Sequence, residues 1–179
     1  MRFPILAPAV ALLMSCAAAK ADLDDVDCSS TSFKFSDPKY NADCQRSDDP
    51  IRVGASSGAA TTDVMTVTSE DRTIFITLVS RRITATRIYM QHRPLKEGFE
   101  DLFNKDGVEN WNSIGKKDGY DVAEFTKDIS GQSSHCITVQ RYTNAAYNGY
   151  KRRVIGMGCT VGAVDAVYQL LKEIDAPGD

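Results

Sequence analysis

The stretch from His135 to Cys159 constrains the fold more than any other part of the sequence. It reads HCITVQRYTNAAYNGYKRRVIGMGC, two strand-like segments on either side of the turn-forming letters NAAYNG. Such segments around a short loop rich in Asn and Gly are typical of a β-hairpin. A loop at 146–149 places Cys136 directly opposite Cys159, at a spacing that a disulfide can bridge. A tighter Asn-Gly turn would leave the two cysteines diagonal and would require a bulge.

Two glycines, Gly156 and Gly158, lie on one face of this predicted hairpin, opposite Val139 and Ile137. Glycine removes side-chain bulk where another element approaches closely. The C-terminal segment AVDAVYQLLKEI has apolar residues at helical spacing, so we expect a helix in the shallow trough that the glycines leave. The apolar stripe of this helix consists of Val164, Val167, Leu171 and Ile174. A ligand in the trough is the alternative interpretation.

The cysteine content indicates an oxidising compartment. The chain has five cysteines, and the four beyond Cys16 can pair in three ways. We predict disulfides between sequence neighbours, Cys28 with Cys44 and Cys136 with Cys159, as is common in exported proteins. A structural zinc site is not expected, because the chain has no C-x-x-C spacing and only two histidines. The sequence indicates no metal and no cofactor.

The first residues have the layout of a secretory signal peptide. In MRFPILAPAVALLMSCAAAKAD, Arg2 precedes an apolar run that is too short to cross a bilayer, and small residues follow it. We therefore predict a signal peptide over 1–21 and a mature chain, exported to the periplasm or secreted, that begins at Asp22. The letters LMSC offer an alternative, a bacterial lipobox in which Cys16 is acylated and the protein is lipid-anchored in the envelope. The mature chain has no apolar run long enough for a transmembrane helix.

About 158 residues remain beyond the signal peptide, enough for one domain with its own core. The sequence predicts an irregular acidic arm over 22–62, because this stretch is poor in large apolar residues and rich in Ser, Asp and Gly. The predicted Cys28–Cys44 disulfide would tie this N-terminal arm down. An α+β domain is expected over 63–179.

Within 63–179 we expect an antiparallel sheet of about five or six strands, with a short middle helix and a C-terminal helix packed on one face. Two strands flank the polar break at 69–72, and a third is predicted around 84–92. The letters RPLKEGFEDLFNKDG indicate the middle helix, which Gly98 weakens by about 1 kcal/mol relative to Ala. Trp111 is predicted to lie in a loop. Another strand is expected at YDVAEFTKD.

Charge is distributed unevenly along the chain. The formal net charge is −3, and the mature form is more acidic still without Arg2 and Lys20, which argues against nucleic acid as the main partner. The segment 72–96, in contrast, has six basic residues and no acidic one. Charge runs are usually solvated faces; the alternative is contact with an unknown envelope protein or an anionic ligand. The predicted contact residues, which include aromatic residues of the hairpin loop, are Arg81, Arg82, Arg87, His92, Arg93, Tyr147, Tyr150 and Arg152.

The sequence contains no recognisable catalytic frame. Neither His92 nor His135 is surrounded by a nucleophile or metalloprotease motif. The carboxylates available without a linear signature are Glu97, Glu100, Asp101 and Glu124. We therefore favour a non-catalytic periplasmic or envelope protein that binds a partner or ligand, such as an accessory or inhibitor-like module. The alternatives are a small secreted hydrolase that uses carboxylates and a structural envelope lipoprotein acylated at Cys16.

Overall fold

The computed structural model describes residues 23–53 and 56–178. Its strands are β1 (Asp24–Val26), β2 (Tyr40–Val53), β3 (Ser56–Ser69), β4 (Ile74–Ile83), β5 (Val108–Lys117), β6 (Tyr120–Ile129), β7 (Gln132–Ala146) and β8 (Gly149–Thr160). Its helices are α1 (Leu95–Leu102) and α2 (Asp165–Glu173), and one 3-10 turn spans Cys28–Ser30. The strands form a single antiparallel sheet in the order β1-β2-β3-β4-β8-β7-β6-β5. The predicted signal peptide over 1–21 and the alternative lipidation site Cys16 lie outside the described residues.

The predicted α+β fold with five or six strands is wrong. The described residues form one eight-stranded antiparallel sheet with two short helices. The irregular N-terminal arm is also wrong, because β2 lies within it and pairs with β3 over its whole length. The letters SDDP, which lie in β2, indicated a turn in the sequence, since proline usually interrupts a strand. Pro50 lies beyond Cys44–Arg46, the part of β2 that pairs with β1, so it occupies a sheet edge, where proline is tolerated.

Two further predictions for the middle of the chain are wrong. Residues 84–89 leave the sheet instead of forming a strand, and Met90 then makes a single bridge with Tyr150. Trp111 lies in β5, not in a loop. The β5–β6 register shifts twice, near Asn110 and Gly115, which have φ values of 53° and 97°. Such irregularities remove the alternation by which a strand is recognised in a sequence.

The two helices pack on opposite faces of the sheet. One face carries α2 together with the segment before β2, and we call it the α2 face. The other carries α1, and we call it the α1 face. Phe33 is completely buried in the α2-face core. In the α1-face core, Phe99 contacts Trp111 and Phe125 at ring-centroid distances of 5.5 and 5.2 Å.

Both predicted disulfides are present. Cys136 lies directly opposite Cys159 in the β7–β8 pairing and is bonded to it, in the register that a loop at 146–149 predicts. Cys28 is bonded to Cys44 on β2 and fastens the N-terminal segment to the sheet. Closing a loop of this size contributes about 3 kcal/mol in the chain-entropy model.

Gly158 is a point at which α2 meets the sheet. It lies opposite Ile137 on β7 and Ile76 on β4. A Cβ atom at this position would lie 2.5 Å from Val167 Cγ1 on α2 and 3.0 Å from the Phe75 carbonyl oxygen. The terminal helix therefore does occupy the space that this glycine leaves.

We predict that Gly158→Ala destabilises the protein, because the added methyl group must displace α2 or widen the β4–β8 pairing. Overpacking of this kind costs roughly 1–3 kcal/mol. Gly162→Ala is the matched control, since its Cβ would meet Thr160 Oγ1 at 3.6 Å, an ordinary contact. Urea denaturation measures both variants. Equal unfolding midpoints for the two would show that α2 does not rest on Gly158.

Candidate functional site at the basic end of the sheet

Basic side chains gather where β4 ends and β8 begins. The register places Arg81 opposite Arg153 and Arg82 opposite Arg152. Successive side chains of a strand point to opposite faces, so the first pair lies on the α1 face and the second on the α2 face. Further cations come from β8 and from the segment after β4. We call the following seven residues the basic end: Arg81, Arg82, Arg87, Arg93, Lys151, Arg152 and Arg153.

Lys151 fixes the loop that follows β4. Its ammonium group donates to the carbonyl oxygens of Ala85 and Ile88, the latter at 2.7 Å, and lies 3.9 Å from the Tyr89 ring centroid. Ala85 and Ile88 are themselves buried. The loop is therefore tied to the end of the sheet and carries the exposed Arg87 there.

Arg153 is held beneath α1. Its Nε and Nη2 atoms donate to Gln140 Oε1 at 3.2 and 2.8 Å, and the Gln140 amide donates to the Arg93 carbonyl oxygen at 2.8 Å. Burial lowers the pKa of Arg153, although Tyr142 acts in the opposite direction. A Cβ atom on Gly98 of α1 would lie 2.0 Å from Arg153 Nη2. Arg153 is thus a packed and hydrogen-bonded group rather than a free surface cation.

Three rings form an aromatic cluster beside the basic end. Tyr142 lies between His92 and Tyr150, with a ring-centroid distance of 5.0 Å to each. Its hydroxyl oxygen accepts a hydrogen bond from the Arg93 backbone N–H at 3.2 Å. Tyr147, at the tip of the β7–β8 loop, is fully exposed. Aromatic rings and arginine side chains are enriched in surfaces that contact a partner.

Asp63 is a buried carboxylate on the α2 face near this end. Its Oδ1 atom accepts a hydrogen bond from Arg46 Nε at 2.7 Å, and its Oδ2 atom accepts one from the Ser32 backbone N–H at 2.9 Å. Burial by itself raises the pKa of Asp63, but the hydrogen bonds from Arg46 and Ser32 outweigh it and hold the pKa below its ordinary value. Asp63 is therefore ionised, with both oxygens engaged by these two residues.

Arg152 and Thr143 retain unused hydrogen-bonding capacity. They lie opposite each other on β8 and β7. Arg152 Nε and Thr143 Oγ1 are buried and have no hydrogen-bond partner among the described residues. Burial and the charge of Arg82 lower the pKa of Arg152, while Asp63 acts in the opposite direction.

The structure brings the eight predicted contact residues to one end of the molecule. Those on the strands are Arg81, Arg82, Tyr150 and Arg152, and those on the adjoining loops are Arg87, His92, Arg93 and Tyr147. Arg93 forms a salt bridge of 2.5 Å with Asp101. A role of these residues in binding stays a prediction.

Sequence analysis missed three groups that organise this end: Asp63, Thr143 and Lys151. A signal for part of this set was present in the hairpin register, since the pairing of Cys136 with Cys159 also sets Thr143 opposite Arg152. The position of Asp63 relative to the basic end depends on the β4–β8 pairing, which no local pattern specifies.

The carboxylates considered for hydrolysis do not converge. Glu97, Glu100 and Asp101 belong to α1 and hence to the α1 face. Glu124 lies on the other face, where it accepts a hydrogen bond of 2.8 Å from the Tyr168 hydroxyl on α2. The sheet separates these groups, which argues against a paired-carboxylate site built from this set. Within the described part of the chain, no three His, Cys, Asp or Glu side chains are placed to hold a metal ion.

A cavity of about 400 Å³ lies beside the C-terminal end of α2. Arg141 lines it, with its guanidinium carbon 4.5 Å from the Tyr120 ring centroid. The same guanidinium donates to the carbonyl oxygens of Ala176 and Pro177 at 3.1 and 3.0 Å. Arg141 therefore anchors the C-terminal segment, and the wall of this cavity is part of that anchor.

No protein-family model, curated protein or solved structure that we compared with the chain gave a match. The basic end is therefore assessed from its own geometry and chemistry.

We predict that Asp63→Asn destabilises the protein at neutral pH and that the difference vanishes in acid. The pKa of Asp63 in the folded protein is below that of the unfolded chain, about 3.9. Its contribution is therefore complete above that value and is lost as pH falls through the folded pKa. At neutral pH the loss should be about 1.5–3 kcal/mol, the contribution of hydrogen bonds to a charged group.

Thermal unfolding of the unaltered protein and of Asp63→Asn, from neutral pH to about pH 2, measures this difference. This range includes the pH at which the carboxylate titrates. Arg46→Gln removes the partner of the carboxylate instead of the carboxylate itself. Its stability should therefore also depend less on pH in the acid range than that of the unaltered protein. A stability gap that stays constant over the whole pH range would contradict the assignment.

Proposed function

We propose that the protein is an exported, disulfide-stabilised, non-catalytic binding module that recognises an anionic ligand with the basic end of its sheet. The observation that carries this proposal is the concentration of seven cationic side chains at one end of a chain whose net charge is −3. Of these seven, only Arg93 takes part in a salt bridge among the described residues. Cations without acidic partners attract anionic ligands and accelerate their association.

The aromatic cluster supports binding beside the cations. Tyr142 and Tyr150 are half-buried, whereas His92 and Tyr147 are exposed. Ring faces supply contact area with little loss of side-chain entropy, and the tyrosine hydroxyl and histidine ring N–H groups can donate hydrogen bonds to oxygen-rich ligands. An anionic ligand with a ring or sugar portion would use both sets of groups.

Two features support export. The layout of residues 1–21 is that of a signal peptide, and both disulfides are of the kind that persists in oxidising compartments. Neither helix in the described ranges combines the length and the apolar character that crossing a membrane requires. We propose that the exported protein resides in the periplasm or in the surrounding medium.

We expect the intact mass of the protein purified from its native cells to correspond to a chain that begins at Asp22 and contains both disulfides. Mass spectrometry of the envelope and culture-medium fractions measures this directly. A lipid adduct on Cys16 would instead establish the lipoprotein alternative. A mass that includes residues 1–21 unmodified would contradict export through a cleaved signal.

We expect the protein to bind heparin, used here as a polyanionic probe, through exposed cations of the basic end. The double variant Arg81→Gln/Arg87→Gln should elute from immobilised heparin at lower salt, because it loses two cations of the contact surface. Surface charges contribute up to about 1 kcal/mol each, so the loss of two should lower the affinity by up to roughly thirtyfold. Calorimetric titration with a heparin oligosaccharide measures the change.

The matched control is Lys39→Gln/Lys105→Gln, which makes the same change in net charge with exposed residues outside the basic end. This control should bind as the unaltered protein does. If both double variants lose affinity equally, the interaction reports net charge alone and the basic end is not the binding surface.

A further inference from the structure

Three polar residues form one row across the α2 face at the basic end. Arg82 on β4 lies opposite Arg152 on β8, and Arg152 lies opposite Thr143 on β7. Neighbouring strands are about 4.8 Å apart, so the row spans about 10 Å. Over this distance two guanidinium groups and a hydroxyl group can all reach one small ligand group.

The row contains hydrogen-bonding groups that the protein itself does not use. Thr143 is 5% exposed, yet its hydroxyl oxygen has no partner among the described residues, and neither does the buried Nε atom of Arg152. Buried polar groups are almost always hydrogen-bonded in native proteins, so two such groups on facing strands point to a polar partner outside the chain.

The positive charge of the row is compensated only in part, by Asp63. Like charges directly opposite on adjacent strands are unfavourable, and Arg82 and Arg152 are such a pair. Asp63 is the carboxylate whose charge acts on Arg152, but its two oxygens already accept hydrogen bonds from Arg46 and Ser32. Burial and the neighbouring Arg82 together lower the pKa of Arg152, which is the direction expected for a cation short of a counter-charge.

The other arginine pair of the basic end shows the contrast. Arg153, opposite Arg81 on the α1 face, has its donors engaged by Gln140 and is covered by α1. Arg153 is thus satisfied within the protein. Arg152 is not, and this contrast singles out the α2 face.

We propose that Arg82, Arg152 and Thr143 form a binding site for a compact oxyanion, a phosphate, sulfate or carboxylate group that is part of the ligand of the basic end. The two guanidinium groups donate to the oxyanion and neutralise its charge, and the Thr143 hydroxyl donates a third hydrogen bond. Planar guanidinium donors match the oxygen spacing of such groups and form two parallel hydrogen bonds with them. This inference rests on the proposed function, since it names the chemistry that the basic end recognises.

The experiment titrates the full chain with inorganic phosphate, sulfate or acetate at constant ionic strength and follows the melting temperature and the heat of binding. We expect at least one of these anions to raise the melting temperature. The rise should disappear in Arg152→Gln and Arg82→Gln, and Thr143→Val should weaken binding about tenfold, since a hydrogen bond to a charged group is lost. A response to phosphate and sulfate identifies a tetrahedral anion, and a response to acetate identifies a carboxylate.

Arg72→Gln is the matched control, because it removes an exposed arginine from the turn before β4, at the opposite end of that strand from Arg82, and should keep the full response. Without anion, Thr143→Val and Arg152→Gln should melt at the same temperature as the unaltered protein or higher, since each removes an unsatisfied buried group. A variant that melts in this way yet fails to respond has lost the site and not the fold.

No stabilisation by any of the three anions, or equal stabilisation in Arg152→Gln and in the unaltered protein, would overturn the oxyanion site. In that case unchanged heparin binding through Arg81 and Arg87 would leave the proposed function standing. Conversely, an anion response that depends on Arg152 without any retention on heparin would support the site and remove the broader basic end as a binding surface.

Discussion

The pairing of β4 with β8 is the constraint on which the rest of the structure depends. The strands β1 to β4 and β5 to β8 each form a run of sequential antiparallel neighbours, and only β4 and β8 join the two runs within the sheet. Their pairing extends without interruption from Ile74 with Thr160 to Arg82 with Arg152. Helix α2 packs across these two strands, and the basic end is formed by their last pairs. One long-range pairing therefore builds both the core under α2 and the candidate site.

The glycines of β8 allow this pairing to be close. A Cβ atom at Gly156 would lie 2.8 Å from the Thr77 carbonyl oxygen, and one at Gly158 would lie 3.0 Å from that of Phe75, both on β4. Glycine usually weakens a strand, and its presence there marks a close approach of other atoms. The sequence analysis explained these glycines by the packing of α2. The structure shows that they also leave room for the backbone and side chains of β4.

The β7–β8 hairpin could be predicted because its information is local: cysteines at its open end, turn residues at its tip and alternating strands between them. The strand β2 could not, since most of its residues are polar or small and its proline lies at a free edge. The order of the strands was out of reach for a different reason, because no local pattern states that β8 pairs with β4. The same limit applied to the site: the basic segment was visible in the sequence, but its division between two faces of the sheet required that pairing.

Gly98 and the half-buried Arg152 and Arg153 illustrate how tertiary packing overrides local preferences at this end. In isolation Gly98 is a weak point of α1, costing about 1 kcal/mol relative to Ala. In the fold, the absence of a side chain at Gly98 lets the helix backbone pack over Arg153 and Gln140. The half-buried guanidinium group of Arg153 donates its hydrogen bonds to Gln140 there. On the opposite face, the Nε atom of Arg152 is buried and has no hydrogen-bond partner among the described residues. Departures from local rules that the protein does not compensate are expected at functional sites, and this difference between the two arginines is why we propose that the oxyanion binds on the α2 face.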